Sequence, residues 1–187
     1  MKYRQTPTRI IQILELFHRH RLNYILFKCE HIFAGENKNV DILFETNQDY
    51  KKTAELLEKN GFIVRLSEKI EKYKTMYTGL YENNIYSFHL HREIAWHGII
   101  ALDKREVFKR KKVINSLIII PSVEDSLLIH AAHILFENFK ITEKEKPILN
   151  TIEKPEINRK YLEQQIKNNK WEYGFKKIIK QVMVCFC

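Results

Sequence analysis

Asp41 is the one acid in an apolar run, Val40–Phe44 (VDILF), and a second run, Tyr24–Phe27 (YILF), lies upstream across a polar stretch. A charged side chain in a buried strand is costly unless it is paired, holds a metal or faces a cleft. Asp41 therefore marks a place where chemistry can happen. Downstream, His89, His91 and Glu93 alternate. In an extended strand they share a face. There, with Asp41, they could hold a transition metal such as Mn2+ or Zn2+, contact phosphate, or close a hydrogen-bonded polar cluster. Glu30, Glu36 and Glu45 flank Asp41, and Glu45 has its alternation parity. Farther on, His130, His133 and Glu137 fall on one helix face. Their order is not His-Glu-x-x-His, which removes the metalloprotease reading, and a packed helix histidine is the commoner origin of such a pattern.

Several elements must position these groups. Thr6 or Thr8 can cap a first helix, with Pro7 in its first turn and an apolar stripe of Ile10, Ile11, Ile13, Leu14 and Phe17. Leu22–Phe27 and Val40–Phe44 read as buried strands. Thr46 or Asn47 can cap a second helix, Gln48 to Lys59, which Asn60-Gly61 ends. Phe62–Leu66, Lys72–Thr78, Asn84–His91 and Leu117–Ile120 read as strands, with a turn near Leu80–Asn83. Ser122 and Asp125 resemble a capping box before an apolar helix running to about Phe139. The segment 140–158 is polar with two prolines and reads as a linker or exposed loop. Two more helices are expected over Tyr161–Ile166 and Trp171–Met183. The order is mixed, not a regular parallel βαβ series.

Composition bounds the partners. The chain has 187 residues, a net charge of +9, and 44% hydrophobic residues, enough for a real core. The basic excess suits phosphate-bearing partners such as nucleotides or RNA, or is a solvated lysine-rich surface. Its densest basic stretch is KREVFKRKK, Lys104–Lys112, which could track phosphates or form a solvated helix end. Trp96 and Trp171 read as core. Cys29, Cys185 and Cys187 form no disulfide framework, which fits a cytoplasmic protein. No run approaches membrane-spanning length and no signal peptide is evident, so no membrane partner is expected. The ending Val184-Cys-Phe-Cys, without a polar tail, is what a truncated member of a longer family would show.

Lys28-Cys29, then Asn39-Val40-Asp41-Ile42-Leu43, then Gly61-Phe62, then His89-Leu90-His91, and finally Ile120–Leu128 followed by Ala131-Ala132-His133 occur in a telling order. Over roughly residues 8–139 they resemble the uncharacterised nucleotidyltransferase family of the DNA polymerase β superfamily. The resemblance implies an α+β fold. A nucleotidyltransferase-like mixed sheet with helices packed on it would cover 1–121, and a C-terminal helical region 122–187. It implies a nucleoside triphosphate substrate and Mg2+ or Mn2+, held by carboxylates that clamp an in-line transfer to an acceptor such as RNA or a protein.

By the same resemblance, Asp41 is the metal ligand, with Asn39 and His89 completing the catalytic set. Lys28, Cys29, His91 and His133 lie on the substrate side. Three positions depart from the pattern. Cys29 replaces a glycine whose backbone would approach phosphate. Asn39 replaces the first carboxylate and brings no charge. His89 replaces the third, and imidazole is a poor magnesium ligand. Three functions follow: a nucleotidyltransferase, a degenerate nucleotide- or RNA-binding module, or an antitoxin-like protein-interaction partner.

Overall fold

The computed structural model describes residues 8–28 and 38–184. Thr6, Pro7, Cys29, Glu30, Glu36, Cys185 and Cys187 lie outside the described residues. The fold is mixed α+β. Helix α1 (Thr8–Arg19) precedes strands β1 (Tyr24–Phe27) and β2 (Asn39–Phe44), then α2 (Asn47–Lys59), β3 (Ile63–Leu66), β4 (Lys74–Tyr81) and β5 (Asn84–His91). The five strands form one sheet in the order β1-β2-β5-β4-β3. The β2–β5 pair is parallel and the others antiparallel.

Local chemistry accounts for these elements. The Thr46 side chain accepts from the Asp49 amide at 3.0 Å, which caps α2. Glu82 and Asn83 have φ of +47° and +59°, the left-handed pair that a two-residue hairpin between β4 and β5 requires.

Period-two alternation divides the sheet into two faces. Tyr24, Leu26, Val40, Ile42, Phe44, Phe88 and Leu90 share a core with Ile10, Ile13, Leu14 and Phe17 of α1 and with Tyr50, Leu56 and Leu57 of α2. Both first helices therefore cover one face. Gly79 in β4 lies against the Phe62 ring, where an added Cβ would stand 2.7 Å from Cδ1. Gly79→Ala is expected to cost about 1–3 kcal/mol by overcrowding, seen as a lower urea midpoint at unchanged slope.

The opposite face carries Ile25, Phe27 and Leu43, which join the core of the C-terminal half. That half holds the hairpin β6 (Ile94–Trp96) and β7 (Ile99–Leu102), helix α3 (Lys104–Lys109), and the short pair β8 (Lys112–Val113) and β9 (Ile119–Ile120). Helix α4 (Val123–His133) runs on into a π turn, Ile134–Asn138, closed by Phe139 at φ +53°. Short α5 (Lys146–Leu149), α6 (Arg159–Asn168) and α7 (Glu172–Val184) follow. Trp96 and Trp171 are buried. No helix among the described residues is long and apolar enough to cross a membrane.

One expectation fails here. The segment 140–158 is not an exposed linker, because Glu145, Leu149, Thr151 and Ile157 are buried in it. Glu145 can be buried because it accepts hydrogen bonds from Asn138, from the Thr142 amide and hydroxyl, and from His133. The basic stretch 104–112, read as a phosphate track or a solvated helix end, carries four of its six cations in ion pairs. Lys104 pairs with Glu93, Arg105 with Asp103, Lys109 with Glu106, and Arg110 with Glu124 and Asp125.

Arg110 and Asp125 anchor α4 and α6. Asp125 is fully buried and accepts from Arg110 Nε at 3.1 Å, Ser122 Oγ at 2.7 Å and Tyr161 Oη at 2.6 Å. The Arg110 guanidinium also stacks 3.7 Å from the Tyr161 ring centroid. Ser122 caps α4 as expected, accepting from the Asp125 amide at 3.1 Å.

Candidate functional site

Asp41 sits in the second strand of the sheet, between two neighbours. Across the antiparallel ladder it faces Phe27, and across the parallel one His89. Alternation turns Asp41, His89 and His91 to the face away from α1 and α2. The Asp41 Oδ1 atom lies 3.3 Å from His89 Nδ1 and 3.1 Å from His91 Nε2. Its Oδ2 lies 3.6 Å from Lys28 Nζ. The cluster is closely packed, with the Asp41 side chain 15% exposed and that of His91 6%.

Lys28 reaches this carboxylate from an uncommon backbone state. It follows the last residue of β1 at φ +51°, a left-handed conformation that costs a non-glycine residue energy and that clusters at functional sites. The turn brings the ammonium back over the sheet, 5.6 Å from the Phe27 ring centroid. On the other side of the cluster, Lys74 of β4 stands opposite His91 and pairs with Glu71 at 3.5 Å.

The electrostatics follow from this packing. Burial alone would raise Asp41, but the Lys28 ammonium and hydrogen bonds from His89 and His91 hold its carboxyl well below the usual range. Burial pushes His91 down to about 4 despite the pull of Asp41. Asp41 is thus an ion held by cations and donors, and His91 is a neutral imidazole at neutral pH.

A second charged group borders the first. His133 Nδ1 lies 2.9 Å from Glu145 Oε1, and its Nε2 lies 3.1 Å from Glu137 Oε2. Burial opposes the charged ring, but the two carboxylates raise the His133 pKa. The His133 hydrogen bond in turn lowers Glu137 to about 2. Lys28 acts electrostatically on Asp41, His91, His133 and Glu137. Lys74 likewise acts on His91 and Glu137, so both lysines are charges common to the two groups. Glu137 begins the last stretch of the π turn, a backbone irregularity frequent at functional sites.

The structure therefore brings together Lys28, Asp41, His89 and His91, with His133 bordering them. Asn39 lies on the Asp41 face opposite Ser87, at the exposed start of β2. Cys29 lies outside the described residues. Glu45 does not join Asp41, since it is exposed and bonded to Asn23. Glu93 does not join the histidines, since it pairs with Lys104 at 3.4 Å. Sequence reasoning missed Lys74 and Glu145. Lys74 enters only through strand register, and nothing in the polar segment 140–158 marks Glu145. The pairing of Glu137 with His133 was signalled by their spacing of four on one helix face.

Among the described residues, the donor set does not fit Mg2+ or Mn2+: such ions want several oxygen ligands, whereas the one carboxylate of this cluster is already engaged by an ammonium and two imidazoles. Among the described residues, no group of three or more His, Cys, Asp or Glu side chains is arranged to hold a metal ion. Comparison with protein-family models, curated proteins and solved structures gave no match for this chain.

Proposed function

We propose that this chain is a nucleotidyltransferase-like module that binds a nucleoside triphosphate beside Lys28 and has lost metal-dependent transfer. One observation carries the reading. The ammonium of Lys28, 3.6 Å from Asp41, stands on the very carboxylate that a metal would need. Asp41 is a fixed counter-ion for a lysine, and the lysine is a ready partner for phosphate. Support for the nucleotidyltransferase-like frame comes from the arrangement around Asp41. A β1–β2 antiparallel pair runs beside a parallel β5 that turns His89 and His91 to the same face. The antitoxin-like reading gains no observation of its own.

Titration of fluorescent ATP and GTP with and without Mg2+, beside a pyrophosphate-release assay, tests the proposal. Salt-sensitive binding that ignores Mg2+, with no pyrophosphate formed, is expected. Asp41→Asn frees Lys28 and should tighten metal-free binding several-fold. Lys28→Gln should weaken it by about tenfold, the loss of one charge-assisted contact. Pyrophosphate release that needs Mg2+ and vanishes in Asp41→Asn would establish an active transferase instead. Absence of nucleotide binding at low salt would leave a protein-interaction role.

A further inference from the structure

The excess positive charge is not where the sequence is densest in Lys and Arg. Between Arg159 and Lys180, seven Lys and Arg stand against two Glu, more than half of the chain's net +9. All seven cations are exposed. The ion pairs of the described residues lie elsewhere, as at Lys104, Arg105, Lys109 and Arg110.

Geometry orders this charge. In α7, Tyr173, Lys176, Lys177 and Lys180 recur at i, i+3, i+4 and i+7, which is one helix face. The opposite face, with Phe175 and Ile178, is buried in the C-terminal core. Tyr173 is 74% exposed, and Lys177 Nζ lies 4.8 Å from its ring centroid. Helix α6 packs against α7 and adds exposed Lys160 and Lys167, two turns apart.

We infer that this face binds single-stranded nucleic acid, with the lysines following the phosphates and Tyr173 stacking on a base. A row of unpaired cations interleaved with an exposed aromatic ring is the chemistry such ligands require. A membrane surface fits less well. An interfacial helix must insert its apolar face, and the apolar face of α7 is already in the core. A folded protein partner would not call for a lone exposed ring among unpaired lysines. The inference is independent of the proposed nucleotide site at Lys28, which uses other residues.

Fluorescence anisotropy with a labelled oligouridylate of about 20 nucleotides tests it across about 50–200 mM salt. Wild-type protein should bind with steep salt dependence. The triple variant Lys176→Gln/Lys177→Gln/Lys180→Gln should lose at least tenfold in affinity at low salt. Its log–log salt slope should be shallower by about 2, from about 0.7 per phosphate contact in single strands. Tyr173→Ser should lose about tenfold with an unchanged slope, because stacking carries no counterion release. Lys51→Gln/Lys52→Gln, on exposed positions of α2, should change neither.

ATP titration of the triple variant should match wild type, so each proposal can fail without the other. Absence of oligouridylate binding by wild type overturns the inference. So does an equal loss in the α2 control. Binding to phosphatidylserine vesicles but not to oligouridylate would assign the face to membranes and also overturn it.

Discussion

Replacing Asp125 with alanine is expected to remove roughly 3–5 kcal/mol of folding stability. The reason is what the change leaves behind. Arg110 Nε, Ser122 Oγ and Tyr161 Oη all donate to this one buried carboxylate. Without it, a part-buried guanidinium loses its bond to Asp125 and a buried hydroxyl loses its acceptor. Breaking such a pair costs far more than the pair contributes net. Glu124, which also holds Arg110 at 2.8 Å, limits the loss to the lower part of the range. The thermal midpoint should fall by about 10 °C at this chain length. Asp125→Asn keeps an acceptor oxygen and should lose about half as much. A measured loss below about 1 kcal/mol for alanine would mean that water replaces the carboxylate readily.

The second large effect is a loss of stability on mild acidification that His91 controls. Its pKa falls from 6.5 to about 4 on folding because burial disfavours the imidazolium. Between those values the unfolded chain binds more protons than the fold, so stability rises with pH across the window and is lost as pH falls through it. From about pH 7 to about pH 5 the His91 contribution amounts to roughly 2 kcal/mol. His133 acts in the opposite sense. Its pKa is raised by Glu137 and Glu145 against burial, so its contribution is full in acid and fades as pH rises through the raised value. Glu137, lowered to about 2, and Asp41, held below the usual carboxylate range, lose theirs only at lower pH.

The groups facing His91 are Asp41, Lys28, Lys74 and the Phe27 ring. Gln at position 91 can still donate to Asp41 but does not titrate. His91→Gln should therefore flatten the acid limb of a urea-denaturation series by about 2 kcal/mol between those pH values, relative to wild type. Parallel curves for the two proteins would show that His91 is not buried neutral.

Much of this arrangement is legible from types and spacing. Asp41 declares itself because a carboxylate in an apolar run must have partners. The alternation of His89 and His91 supplies two of them. Helices α1 and α2, the Thr46 cap of α2, and the five sheet strands follow from periodicity and turn residues. The rest depends on distance in three dimensions. Lys74 meets the cluster through β4–β5 register, and Lys28 through a left-handed residue at a strand end. The first leaves no local mark in the sequence, and the second falls on a residue that only the family resemblance singles out.

The β6–β7 hairpin did leave one. His97-Gly98, at φ +50° and +78°, has the small, positive-φ character of a two-residue turn between apolar runs. The two basic regions make the same point. Charge crowded along the chain at 104–112 is partly paired, with sequence neighbours at Arg105 and Lys109 and with acids that the fold brings alongside at Lys104 and Arg110, while lysines spaced by helix turns remain open to solvent.

The parallel pairing of β2 with β5 also orders events in time. The β4–β5 hairpin closes over two residues and can zip up locally, as microsecond hairpins do. Strand β2 can enter its place only after about 40 intervening residues, including α2 and β3, have closed back on themselves, and the entropy of that closure must be met before the pairing rewards it. Asp41 rides on the late strand and its histidines on the early one. The chain is therefore expected to keep its acid in water until donors from β5 are in place to replace that hydration.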